Sequence, residues 1–232
     1  ALLSSAVFAA SSAMAIAILR RIRAARSVST AKRAGFHSVC VFCGSSRPSG
    51  ERGEEYMSAA VKLGEALASK GIRLVYGGGS VGLMGAIAHT VDERGGEVKG
   101  VIPAALKPRE LSGEGVQPQN VVVTETMHER KAIMASSSSA FIAMPGGFGT
   151  FEELLEVITW SQLGVHNKPV GLLNVGGFYD SLIGLFEHAS KEGFIRPDNM
   201  DIVVVDTDPE RLVERLREHQ LPPAICNWSV KV

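Results

Sequence analysis

The stretch Pro145-Gly146-Gly147-Phe148-Gly149-Thr150-Phe151-Glu152-Glu153 puts glycines, a hydroxyl and two carboxylates side by side. Glycine lets backbone amides approach an anion closely, and a helix start adds unpaired N–H groups and a partial positive charge. Glu153 then has two readings. Thr150 and Glu153 fit the capping-box spacing, with Thr150 as N-cap and Glu153 at the third helical position. In the other reading, a Glu in the first turn is held ionised by the helix dipole beside a phosphate site, which suits a cationic transition state. Cleaving a C–N glycosidic bond passes through an oxocarbenium-like sugar, and a carboxylate can stabilise it or direct water at it.

A second group, Met127-His128-Glu129-Arg130-Lys131, opens a helical stretch. Arg130 and Lys131 can neutralise phosphate or hold a leaving group. Arginine keeps its proton, so its role there is orientation and charge. The plainer reading is a solvated helix start of mixed charge. Two further glycine-rich turns follow apolar runs: Cys43-Gly44-Ser45-Ser46, and Gly77 to Gly85 with Gly78, Gly79, Ser80 and Met84. Gly44, Ser45, Gly78, Gly79, Ser80 and Met84 are candidates for further phosphate or ribose contacts. No GK[ST] follows these loops, and Tyr76 stands where a dinucleotide fold would carry an acid. That disfavours an ordinary ATPase or a dinucleotide dehydrogenase. Cys40 and Cys43 are three apart on a strand, on opposite faces, and read as core thiols. The six His show no metal-ligand spacing, and no G-x-S-x-G elbow is present.

These residues need elements to hold them. Short apolar runs occur at 38–42, 72–76, 98–102, 121–124, 140–144, 169–173 and 201–205. Their length and β-branched content predict buried strands. Between them, amphipathic stretches predict helices. Residues 54–69 put Met57, Ala60, Val61, Gly64 and Leu67 on one face; 150–163 group Leu154, Val157, Ile158 and Trp160; 178–192 group Leu182, Leu185 and Phe186. Strands alternating with helices mean βαβ units. The expectation is an α/β fold: one Rossmann-like, doubly wound domain with a mostly parallel sheet of about seven strands and flanking helices. Ligands bind such sheets at the carboxyl ends of the strands, where all three glycine loops fall.

Composition sets limits. The chain has 232 residues, 45% hydrophobic and 21% charged, which suits one α/β domain or at most two small ones. Three Cys cannot make a disulfide framework. Lys plus Arg equals Asp plus Glu at 24 each, which argues against nucleic-acid binding as the main task. The balance conceals an asymmetry. Arg20, Arg21, Arg23, Arg26, Lys32 and Arg33 precede the first acid, Glu51; without those six, 18 basic residues face 24 acidic ones. Residues 1–36 therefore read as a leader with the acid-free, Arg- and Ser-containing composition of a plastid or mitochondrial transit peptide. A docked helix and a membrane anchor are the rivals; the uncharged stretch 1–19 is too rich in Ala and Ser for stable membrane insertion. Residues 37–220 are the expected domain and 221–232 a tail.

The motifs as a set resemble one family. The PGGxGTxxE run at 145–153, the Arg130-Lys131 pair, GGGSVGLMG at 77–85, CGSS at 43–46 and Pro108-Arg109-Glu110 make residues 38–195 similar to the LOG proteins. These are cytokinin riboside 5′-monophosphate phosphoribohydrolases, often mislabelled lysine decarboxylases. The resemblance implies hydrolysis of an N⁶-substituted adenosine 5′-monophosphate to free base and ribose 5-phosphate. It also implies a cytosolic homodimer or larger homo-oligomer with no metal and no cofactor. Carried over by position, Arg130 and Glu153 are catalytic. Glu110, Arg130, Lys131, Gly147, Phe148, Gly149, Thr150, Phe151, Glu152, Glu153 and Thr159 contact the substrate. Ser139 stands where many members have Asp. The competing function is a non-catalytic nucleotide or cofactor carrier on the same fold, disfavoured by the Arg130–Glu153 pair. A pyridoxal-phosphate decarboxylase would need a Schiff-base Lys, and Lys131 is the one Lys near the motifs.

Overall fold

A computed structural model describes residues 35–110, 120–226 and 228. The predicted leader, residues 1–36, lies outside the described residues except for its last two positions. Seven strands form one sheet: β1 (Ser38–Phe42), β2 (Arg73–Tyr76), β3 (Val98–Pro103), β4 (Val121–Thr124), β5 (Ala140–Ala143), β6 (Val170–Leu173) and β7 (Val203–Asp206). Every neighbouring pair is parallel and the order is β4-β3-β2-β1-β5-β6-β7. The chain builds outward from β1 on one side, then returns to its other side. The switch point is therefore between β1 and β5, where a ligand crevice belongs.

The helices are α1 (Gly53–Ser69), α2 (Gly82–Glu93), α3 (Lys107–Glu110), α4 (Met127–Ser136), α5 (Phe148–Leu163), α6 (Asp180–Lys191) and α7 (Pro209–Glu218). Strand alternation sorts the core into two layers. Val39, Val41 and Cys43 point to a cluster with Leu63 and Leu67 of α1, Ile87 of α2 and Leu212 of α7. Cys40 and Phe42 point the other way, to Met134 of α4, Leu154 and Val157 of α5, and Tyr179. The two thiols thus lie on opposite faces, as the spacing predicts. Burial pushes both above the usual thiol range, with the Glu153 charge adding to it.

Two expectations change, and a third residue is placed. The seventh strand starts two residues late, because Pro197–Ile202 forms a 3₁₀ turn before it. Val61 and Leu185 are exposed, not core. Ser139 lies at the amino edge of the sheet, its Oγ accepting from the Ser38 and His37 amides, so it sits at the opposite edge from the glycine loops. The tail is tied down in part: the Ile225 amide donates to Gln162 O and Cys226 Sγ to Leu163 O, at the end of α5.

Candidate active site

Helix α5 starts earlier than the capping box requires. Gly147 is the N-cap, in extended conformation, and the first helical bond runs from the Phe151 amide to Gly147 O at 3.1 Å. Thr150 is therefore inside the first turn and Glu153 in the second. The predicted Thr150–Glu153 capping box does not form, and Glu153 lies beyond the first turn, where the helix dipole acts most strongly. A variant of the capping box does occur at α4: Thr126 Oγ1 accepts from the Glu129 amide, and Glu129 Oε2 accepts from the amide of Glu125, one residue before the N-cap.

The three glycine loops are not equivalent. CGSS leads into an irregular segment, and α1 begins only at Gly53. At α2 the first-turn amides of Leu83 and Met84 already donate to Gly44 O, at 3.1 and 3.3 Å. Gly78, Gly79, Ser80 and Met84 are buried there and pack the loop. At α5 the first-turn amides have no partner within their own helix. A Cβ at Gly147 or Gly149 would meet nothing within 4 Å, so space lies open in front of them. At Gly146 a Cβ would strike Thr150 Oγ1, so the turn itself needs glycine. The loop is held from behind. Gly44 N donates to Pro145 O at 3.1 Å, and the buried Tyr179 hydroxyl donates to Met144 O at 2.6 Å. Asn174 in turn holds Tyr179, accepting from its amide and donating to Asp180. Beside the loop a cleft of about 400 Å³ opens at the β1–β5 switch point, lined by Gly44, Ser45, Tyr56, Gly146, Gly147 and Phe178, among others.

Arg130 reaches from α4 to the strand ends. Its Nε donates to Val101 O at 3.1 Å and its Nη2 to Gly77 O at 3.3 Å. Its Nη1 lies 3.9 Å from Glu153 Oε1, and the two residues are only 5% and 6% exposed. At this distance the attraction is about 4 kcal/mol for an effective dielectric of 20. Desolvating two charges cancels much of that, so a buried pair is a poor way to stabilise a fold. Such a pair beside an open helix N-terminus reads instead as chemistry. It sets a buried carboxylate opposite a cation that backbone carbonyls lock in place.

The other predicted residues divide. Lys131 is bound to Glu152 and Glu156 of α5. Phe151 packs on Phe178 and Tyr179. Phe148 is 91% exposed and, with Glu152, Leu155 and Thr159, forms an uncovered stripe along α5. Thr159 is more than two turns beyond the glycine loop, its hydroxyl donating to Leu155 O. Glu110 ends α3, and its side chain lies outside the described residues. Sequence reasoning missed Tyr179 and Asn174; a Tyr after a glycine turn carries no signal of the carbonyl it will meet. Among the described residues no group of three or more His, Cys, Asp or Glu could hold a metal, and no helix is long and apolar enough to cross a membrane.

Comparison with known proteins identifies the family. A family profile described as "Possible lysine decarboxylase" matches residues 84–216. A cytokinin riboside 5′-monophosphate phosphoribohydrolase of Arabidopsis thaliana (LOG4) is 51% identical over 201 residues, 87% of this chain and 89% of its own. The enzyme named LOG in Oryza sativa subsp. japonica is 52% identical over 188 residues, 81% of this chain and 76% of its own. Among solved structures, a molybdenum-cofactor carrier protein of Chlamydomonas reinhardtii is 24% identical with a TM-score of 0.56, covering 77% of this chain and 96% of its own. That likeness is one of fold. With half of its residues identical to these relatives over most of both chains, the chain belongs to the LOG family of cytokinin riboside 5′-monophosphate phosphoribohydrolases.

Proposed function

We propose that this protein hydrolyses the N-glycosidic bond of N⁶-substituted adenosine 5′-monophosphates, releasing the free base and ribose 5-phosphate. Sequence identity to the phosphoribohydrolases supports the reaction. The single observation that carries the residue roles is the buried Arg130–Glu153 pair beside the open start of α5. The phosphate sits on the amides of Gly147 to Thr150. The bond from sugar C1′ to the base nitrogen breaks, and positive charge develops on the sugar. The Glu153 carboxylate stabilises that charge and directs a water to C1′. The water oxygen stays on the sugar, and a proton ends on the departing base. Arg130 faces Glu153 and orients it.

The test is incubation with AMP and isopentenyladenosine monophosphate, following free base and comparing kcat/KM. Tight binding without turnover would instead make the protein a carrier. Gly149→Val serves as the site control. Its Cβ enters open space, so the protein should fold normally and lose about 10- to 100-fold in nucleotide affinity, the size of one or two charge-assisted hydrogen bonds. Unchanged affinity would place the phosphate elsewhere.

The same reading includes a homodimer. The exposed stripe of Phe148, Leu155 and Thr159 on α5, with Met127 of α4 also exposed, supports a two-fold pairing across these helices. Light scattering at micromolar concentration should give twice the monomer mass; a monomeric mass would count against the pairing.

A further inference from the structure

Lys131 follows Arg130 in the chain, yet its side chain serves a different partner. Arg130 turns to the strand ends, while Lys131 turns to α5. Its Nζ lies 2.5 Å from Glu152 Oε1 and 3.0 Å from Glu156 Oε1, and its side chain is only 11% exposed. Burial alone would lower the Lys131 pKa; the bonds to Glu152 and Glu156 outweigh it and raise the value, so the ammonium stays charged. Lys131, Glu153 and Glu156 also line one small void of about 10 Å³, with Phe42 and Trp160. Glu152 and Glu156 flank Glu153 on its own helix. The clamp and the proposed catalytic pair therefore join the same two helices side by side.

The pair does not set its own spacing. At 3.9 Å, Arg130 and Glu153 attract but make no hydrogen bond. Met134 of α4 and Leu154 and Val157 of α5 share one core layer, and a polar bridge beside the pair fixes the finer spacing of the two helices. We infer that Lys131 is a positioning residue: by bridging Glu152 and Glu156 it fixes α5 against α4 and keeps Glu153 opposite Arg130, without itself touching the substrate. The inference rests on the hydrolase reading. A lysine that left for a substrate phosphate would abandon two carboxylates beside the incoming anion.

The experiment is a mutant cycle in the full chain with isopentenyladenosine monophosphate as substrate. The variants are Lys131→Met, the double change Glu152→Gln with Glu156→Gln, and all three together. Lys131→Met should lower kcat by about 10- to 100-fold, as small misplacements of reacting groups do, and leave KM within about 2-fold. The glutamine double variant should lose a similar factor, and the triple variant no more than about 2-fold beyond it, because the interaction is already gone. Lys131→Arg should restore most of kcat, since a guanidinium can bridge two carboxylates. A raised KM with losses that multiply in the triple variant would mean that Lys131 holds the phosphate itself, and would overturn the inference. So would a lower melting temperature with unchanged kcat, the mark of a purely structural clamp. Wild-type protein without turnover would overturn the hydrolase reading beneath it, whereas active wild-type protein with a failed cycle would overturn only the positioning role.

Discussion

Glu153→Gln should lower turnover by about 10²- to 10⁴-fold, the range for other acid–base groups, in a protein that still folds. Glutamine has nearly the same shape and no charge. It cannot stabilise a cationic sugar or activate water. The fold tolerates the change because Arg130 keeps its bonds to Val101 O and Gly77 O. The stability loss should not exceed about 3–5 kcal/mol, the range for removing one partner of a buried ion pair. With the helix starting at Phe148, no capping role remains that could explain a kinetic defect. Near-normal kcat in this variant would end the assignment of Glu153 to catalysis.

Gly77→Ala should be nearly as damaging, about 10²-fold in kcat/KM, although Gly77 itself performs no chemistry. A Cβ there would land on Arg130 Nη2, with Met84 Cε also close. The strand end cannot move easily, so the guanidinium must. Arg130 then loses its bond to Gly77 O and its place opposite Glu153. Gly184→Ala is the control. That residue lies in α6 with nothing within 4 Å of its Cβ, and alanine there should keep full activity and raise stability by about 0.5–1 kcal/mol. Wild-type kinetics in Gly77→Ala would show that the position of Arg130 is not critical.

The strands were legible because buried apolar runs of this length have few other uses. β1, with all five residues buried, is read directly from Ser38–Phe42. The parallel order followed from alternation with helices. Start positions were less legible. Thr150 looked like a cap because hydroxyl and carboxylate stood at the right spacing, but Gly147 could adopt the extended cap conformation three residues earlier. The candidate residues were visible as residue types, while their partners were not. Nothing in Arg130-Lys131 says that one cation turns to strand carbonyls and the other to a neighbouring helix. That division comes from where α4 lies between β3 and α5. Likewise, Leu185 has the periodicity of a core residue, and only the packing around α6 shows that its side of the helix stays uncovered.

Because β1 lies between β2 and β5, a growing polypeptide that paired its strands as they emerged would pass through a vulnerable stage on the ribosome. With its first four strands released, it carries a half-sheet whose open edge is β1, an apolar strand. Unpaired edges of that kind recruit strands from other molecules. When Ala140–Ala143 emerges it pairs with Val39–Phe42 and closes the edge. The next residues out are the glycine loop, whose Pro145 carbonyl then receives the Gly44 amide. The pairing that covers the β1 edge thus also seats the glycine loop proposed to hold the phosphate. A message truncated before β5 would yield a product that is both inert and prone to aggregate.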